Sequence, residues 1–185
     1  MGRHVDVPPG VIRPSMDRMR ESVFAVLGDL SGQSFLDMFS GTGIIALEAA
    51  SRGAAYIEAV EADPLKRKTL IQNAALSPVR INCRFMPAEL YVMRAKRDFN
   101  IIFLDPPFRY QFKQELLENI IHSKLVSNET YILMHRHSSD QLASPLLDVE
   151  KFDMREYGHS VVDFFKKNKK KFDFLLYFFY RYIIF

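Results

Sequence analysis

Two hydrophobic rhythms run along this chain. In DRMRESVFAVL, Met19, Val23, Phe24 and Leu27 recur at helical spacing, which predicts an amphipathic helix over residues 17–27. Short apolar runs then alternate with helical stretches. SFLDMF, residues 34–39, reads as a strand, Ser40 to Gly43 as a turn, and residues 44–52 as an Ala-, Leu- and Glu-rich helix closed by Gly53. Residues 55–60 predict a second strand ending on Glu61, and Pro64 suits the first turn of a helix reaching residue 76. A third strand over 79–85, a short helix over 88–95, a fourth strand over 99–104, a helix over 112–122 and a fifth strand over 130–134 follow. Residues 150–156 and 160–165 predict an antiparallel hairpin turning at Tyr157, Gly158 and His159.

Strands alternating with helices predict an α/β fold: a mostly parallel sheet with helices on both faces. With the C-terminal hairpin the sheet reaches seven strands. No repeat or linker divides the chain, so residues 1–165 are expected to form one domain. Residues 166–185 are of another kind, a lysine run followed by FDFLLYFFYRYIIF. That apolar stretch is interrupted by Asp173 and Arg181 and is shorter than the ~20 residues a spanning helix needs. A terminal extension is the plainer reading, with contact at an anionic membrane surface as the alternative.

Charge sharpens this division. The formal net charge is +3, but residues 166–185 carry +5 and residues 1–165 carry −2. The basic balance therefore belongs to the tail and says nothing about nucleic-acid binding by the body. The single cysteine, Cys83, leaves no intrachain disulfide, and MGRHVDVPPGVIRPS lacks an apolar signal-peptide core. A reducing, cytoplasmic setting is the expectation, with Cys83 in the core of its strand.

Three constellations carry chemistry. In FLDMFSGTG, Gly41 and Gly43 let the backbone turn sharply into a helix N-terminus at the carboxyl end of a strand. Asp37, inside that strand beside Phe39, needs a partner such as backbone amides or a ligand's ammonium group. Glu61 ends the next strand, 18 positions after Gly43, where an acid commonly takes the hydroxyls of a ribose. Together they indicate an adenosine-containing cofactor. Gly41 to Ala46 also matches the G-x-G-x-x-A of dinucleotide oxidoreductases, which is weak by itself.

The third constellation decides between these. Asp105-Pro106-Pro107-Phe108 follows strand four and would face the same crevice. The Asp105 carboxylate and a backbone carbonyl beside Pro106 can accept N–H bonds from a planar exocyclic amine. They would aim its lone pair at a methyl donor, with the prolines fixing the turn and Phe108 stacking on the base. The implied donor is S-adenosylmethionine. Tyr110 either lines the base pocket or packs. His135 and His137 alternate at a strand end, but two histidines without a third ligand make a poor metal site. No metal is expected, and both are assigned a surface or core role.

On these residues the sequence resembles the Rossmann-like class I S-adenosylmethionine-dependent methyltransferases of the RsmD type, which methylate a guanine N2 amine in bacterial 16S ribosomal RNA. The resemblance spans residues 8–165. Its marks are Ile12-Arg13-Pro14-Ser15 with Arg18, Arg20 and Glu21; Leu36 to Gly43; Glu48 and Ser51-Arg52-Gly53-Ala54; Val60-Glu61; and Asp105 to Phe108. The Ser-Arg-Gly-Ala step is the most selective. The resemblance implies that Asp37, Phe39, Ser40, Gly41, Thr42 and Gly43 shape the methionine side of the cofactor pocket. It implies that Glu61 holds the ribose, that Ala88 and Glu89 border the adenine, and that Asp105 to Phe108 hold the guanine. Arg13, Arg18, Arg20 and Arg109 would contact RNA phosphates. The implied partner is small-subunit ribosomal RNA or an assembling ribosomal particle, met by a monomer. Two departures stand out: Ser15 replaces the usual Thr, and only MGRHVDVPPGVI stands where a basic glycine-rich hairpin is usual.

Two other classes share parts of this pattern. A DNA adenine-N6 methyltransferase would use the same amine chemistry, but normally needs a target-recognition segment, which is not evident here. A non-catalytic RNA-binding module would not need Asp37, Glu61 and Asp105 all intact.

Overall fold

The computed structural model describes residues 14–142 and 148–167. Arg13 and the lysine–aromatic tail beyond residue 167 lie outside the described residues. Helix α1 (Pro14–Leu27) begins earlier than the apolar spacing predicts, because Pro14 suits a helix's first turn, where no N–H is needed. Strand β1 (Ser34–Met38), helix α2 (Ile44–Ser51) and strand β2 (Tyr56–Glu61) follow as expected. A 3-10 turn (Pro64–Lys66), capped by the Asp63 side chain on the Leu65 N–H at 2.9 Å, leads into α3 (Arg67–Ala74).

Then come β3 (Ile81–Phe85), α4 (Ala88–Met93), β4 (Ile101–Leu104), α5 (Lys113–Ile121), β5 (Tyr131–His137), β6 (Val149–Tyr157) and β7 (Ser160–Lys167). Two differences from the sequence reading matter. Strand β5 runs on to His137 because β7 pairs with its end, Arg136 against Val161 and His137 against Ser160. Cys83 is only half-buried, since β3 is an outer strand with a partner on one side only.

The seven strands form one sheet in the order β3-β2-β1-β4-β5-β7-β6. Strands β1 to β5 are parallel, and β7 and β6 close the sheet antiparallel. Central strands have apolar residues on both faces, as a doubly covered sheet requires. Phe35, Ile57, Ile101 and Phe103 join Val23, Phe24 and Leu70 on one face. Leu36, Met38, Ile102 and Leu104 join Leu116, Leu117 and Ile120 on the other. Edge strand β6 carries Glu150, Lys151, Arg155 and Glu156, all exposed, which discourages pairing with another chain.

The strand order reverses between β1 and β4, which opens a crevice at their carboxyl ends. There the Asp105 N–H donates to the Met38 carbonyl at 3.2 Å, joining the two strand ends. Behind the crevice, Arg136 Nε donates to the fully buried Asp163 carboxylate at 2.6 Å, and Arg136 Nη1 holds the Asp140 carbonyl at 2.6 Å. This buried pair ties β5, β7 and the segment after β5 together.

Candidate active site

One wall of the crevice is the turn after β1. Phe39 adopts φ 62°, a left-handed conformation that costs a bulky residue energy and is found where a site requires it. The Ser40 N–H donates to the Val60 carbonyl at 2.9 Å, and the Asn73 side chain donates to the Thr42 carbonyl at 2.9 Å. Gly43 has φ 81°, where a side chain is strained, and a Cβ there would lie 2.6 Å from Leu70 Cδ1, so Leu70 or the turn would have to shift.

Asp37 lies beneath this turn, 1% exposed. Its Oδ2 accepts from Ser40 Oγ at 2.6 Å and from the Ala46 N–H of α2 at 3.2 Å. Its Oδ1 is buried with no hydrogen-bond partner among the described residues. Burial pushes the Asp37 pKa up to about 7, the Ser40 and Ala46 bonds oppose the rise, and the negative charges of Asp105 and Glu61 add to it. Asp37, Asp105 and Glu61 are close enough to feel one another's charge, and Lys66, 3.7 Å from Glu61 Oε2, offsets only part of it, which fits a cationic ligand.

Glu61 is 5% exposed. Its Oε2 accepts from the Gly41 N–H at 2.7 Å and its Oε1 from the Asp63 N–H at 2.8 Å. Lys66 Nζ also lies 3.7 Å from Oε2; a carboxylate has about four acceptor sites, so the two N–H bonds do not exhaust it. Ala88 is buried at the start of α4, and Glu89 beside it is exposed. The Tyr110 hydroxyl donates to Glu89, and the Tyr110 ring meets Phe39 edge-on at 5.4 Å. Tyr110 thus links the two sides of the crevice, and burial and Glu89 hold its hydroxyl protonated.

The opposite wall is the stretch after β4. The Tyr110 N–H donates to the Pro107 carbonyl at 2.7 Å, closing a turn with Phe108 and Arg109 at its centre. Both are therefore presented outward, Phe108 with 42% exposure. The Pro106 carbonyl lies outside this turn's bond. Lys113, 5% exposed, donates to the carbonyls of Phe108 at 2.8 Å and Tyr110 at 2.6 Å and pairs with Asp140 at 3.3 Å. An ammonium group has three donors, here two spent on the turn's carbonyls and one on Asp140.

His135 is buried, one of the two roles the sequence reading gave it, but that reading missed its contact with Asp105. Its Nδ1 lies 2.7 Å from Asp105 Oδ1, and its ring meets Phe108 edge-on at 5.6 Å. Asp105 Oδ2 takes no hydrogen bond from a described residue and faces no such competition for a substrate N–H. The sequence reading also missed Lys113 and Asn73. The arginines divide: Arg109 and Arg18 are exposed, whereas Arg20 pairs with Asp17 at 3.0 Å and Glu48 at 3.8 Å.

Comparison with known proteins agrees with this architecture. Residues 1–166 match a family model described as Conserved hypothetical protein 95. Ribosomal RNA small subunit methyltransferase D of Escherichia coli is 34% identical over 136 residues, 71% of this chain and 68% of that protein. Its namesake from Haemophilus influenzae is 26% identical over 145 residues, 72% of each. Among solved structures, a hypothetical protein of Thermus thermophilus, TTHA0928, superposes with a TM-score of 0.73 at 27% identity, covering 88% of this chain and 92% of that one. The TrmN structure from Thermus thermophilus, at 19% identity and a TM-score of 0.69, shares the fold alone.

Proposed function

This chain belongs to the Conserved hypothetical protein 95 family, and we propose that it methylates small-subunit ribosomal RNA, at the exocyclic N2 amine of a guanine, using S-adenosylmethionine. The observation that carries the reading is the pinned carboxylate of Asp105. It stands at the β1–β4 switch point, with one oxygen held by His135 at 2.7 Å and the other without a partner among the described residues.

S-adenosylmethionine supplies an electrophilic methyl group when bound. Asp37, Phe39 and the Ser40 to Gly43 turn would hold its methionine end, Glu61 its ribose, and Ala88 and Glu89 the adenine edge. The charge of Asp37, buried beneath the turn, suits its cation.

On the substrate side, Asp105 Oδ2 and the Pro106 carbonyl accept the two N–H bonds of the amine and direct its lone pair across the crevice. Phe108 stacks on the guanine. Gaining a methyl group, the amine must lose a proton, which Asp105 Oδ2 would accept and pass to solvent. Arg109, exposed beside Phe108, meets phosphate, with Arg18 and Arg13 as further contacts.

The test is transfer of a labelled methyl group from S-adenosylmethionine to unmodified small-subunit RNA, to its ribosomal particle, and to DNA, followed by nucleoside analysis. N2-methylguanosine from RNA or particle is the expected product. Intact cofactor binding with no transfer to either would overturn the proposal.

A further inference from the structure

We propose that His137 and His159, continuing the row of rings that starts at Phe108, form a stacking track for the RNA nucleotides that flank the target base. The inference rests on the RNA methyltransferase reading and adds His137 and His159, which that reading does not use.

Three separate segments bring these rings together: the turn after β4, the end of β5, and the tip of the β6–β7 hairpin. The Phe108 and His137 rings lie 5.4 Å apart at 74°, and the His137 and His159 rings 6.3 Å apart at 14°. The row therefore leads away from Asp105 along the rim formed by the carboxyl ends of the parallel strands. Backbone pairing fixes its far end, since the Ser138 N–H donates to the His159 carbonyl at 2.9 Å. His137 is fixed as well: its Nδ1 lies 2.7 Å from Ser139 Oγ and accepts from the Ser139 N–H at 3.2 Å.

None of the three rings is buried; Phe108 is 42% exposed and His159 is exposed. A core role would cover their faces. Instead the fold holds them in a row beside the crevice, each ring touching the next and still partly open to solvent. A base drawn into the crevice leaves its neighbours without stacking partners, and exposed aromatic faces replace that loss for any base. Arg109, in the same turn as Phe108, adds the cation that a phosphate needs. A row of rings beside one exposed arginine fits a single-stranded segment of RNA.

The experiment compares wild type with the H137A/H159A and H137F/H159F variants. Affinity for a fluorescein-labelled single-stranded RNA dodecamer is read by anisotropy, methyl transfer to a small-subunit RNA transcript by label, and cofactor affinity by calorimetry. The alanine pair is expected to lose about tenfold in dodecamer affinity and to raise KM for the transcript by a similar factor, with cofactor affinity unchanged. The phenylalanine pair should recover most of the loss, because it restores the π faces. Wild-type RNA affinity in the alanine pair, or a phenylalanine pair as weak as the alanine pair, would overturn the track while leaving methyl transfer standing. If wild type transfers no methyl group to RNA or particle, the functional reading fails and the track falls with it.

Discussion

His135 Nδ1 and Asp105 Oδ1 lie 2.7 Å apart, although 30 residues separate them in the chain. The bond fixes the carboxylate's rotation and leaves Oδ2 without a partner among the described residues. His135 is 5% exposed, which keeps water from taking its place. Replacing it by alanine frees Asp105 to turn. The H135A variant should lower kcat by about 10- to 100-fold, the usual weight of a hydrogen bond to a charged group, with cofactor affinity unchanged. H135N, which keeps a donor, should recover part of the loss. Equal kcat in wild type and H135A would remove His135 from the site.

That bond also shows what the sequence could convey. The glycine turn, Asp37, Glu61 and Asp105 were legible because each sits at a strand end that apolar patterning marks. The Asp105–His135 contact depends on register, with Leu104 opposite Met134, so that the next residue of each strand meets its neighbour. Periodicity finds strands but not their offset. Lys113 was hidden for a similar reason. It opens α5, where a lysine reads as a surface charge, and only the folded turn brings the carbonyls of Phe108 and Tyr110 within reach.

Lys113 supplies the second prediction. K113M keeps the apolar stem and removes all three donors. The carbonyls of Phe108 and Tyr110 then lose their buried partner, at a cost of about 3 kcal/mol in unfolding free energy. Because the turn carries Phe108, KM for RNA should rise while cofactor affinity holds. Urea denaturation and steady-state kinetics read the two effects. A variant with wild-type stability and KM would show that the turn stands without this clamp.

Asp37 predicts a pH dependence. Its folded pKa is raised to about 7 against a reference of 3.8. Between those values the folded state binds a proton that the unfolded state has lost, so unfolding free energy falls as pH rises from about 4 to about 7 and levels off above. D37N, which cannot ionise, should lose this part of the slope. A cationic ligand favours the ionised carboxylate, so S-adenosylmethionine affinity in wild type should strengthen as pH passes through about 7. The same titration on D37N should be flatter in that range. Parallel curves for the two proteins would remove Asp37 from cofactor binding.

Gly43 gives the last prediction, with a built-in comparison. Gly28 and Gly43 both have positive φ, 70° and 81°, so alanine at either meets the left-handed penalty of about 1–2 kcal/mol. At Gly28 a Cβ meets nothing within 4 Å, whereas at Gly43 it would lie 2.6 Å from Leu70 Cδ1. Leu70 is fully buried among Ile45, Ala46 and Ile57, so it has little room to give way. G43A should therefore destabilise more than G28A in urea. It should also weaken cofactor binding, because moving the turn moves the Gly41 N–H that holds Glu61 at 2.7 Å. G28A, after α1, should leave cofactor affinity unchanged. The cause can be isolated with L70A: in that background the clash is gone, so the added cost of G43A should shrink toward that of G28A. An undiminished cost in the L70A background would place the whole penalty in the backbone rather than in the contact between the turn and α3.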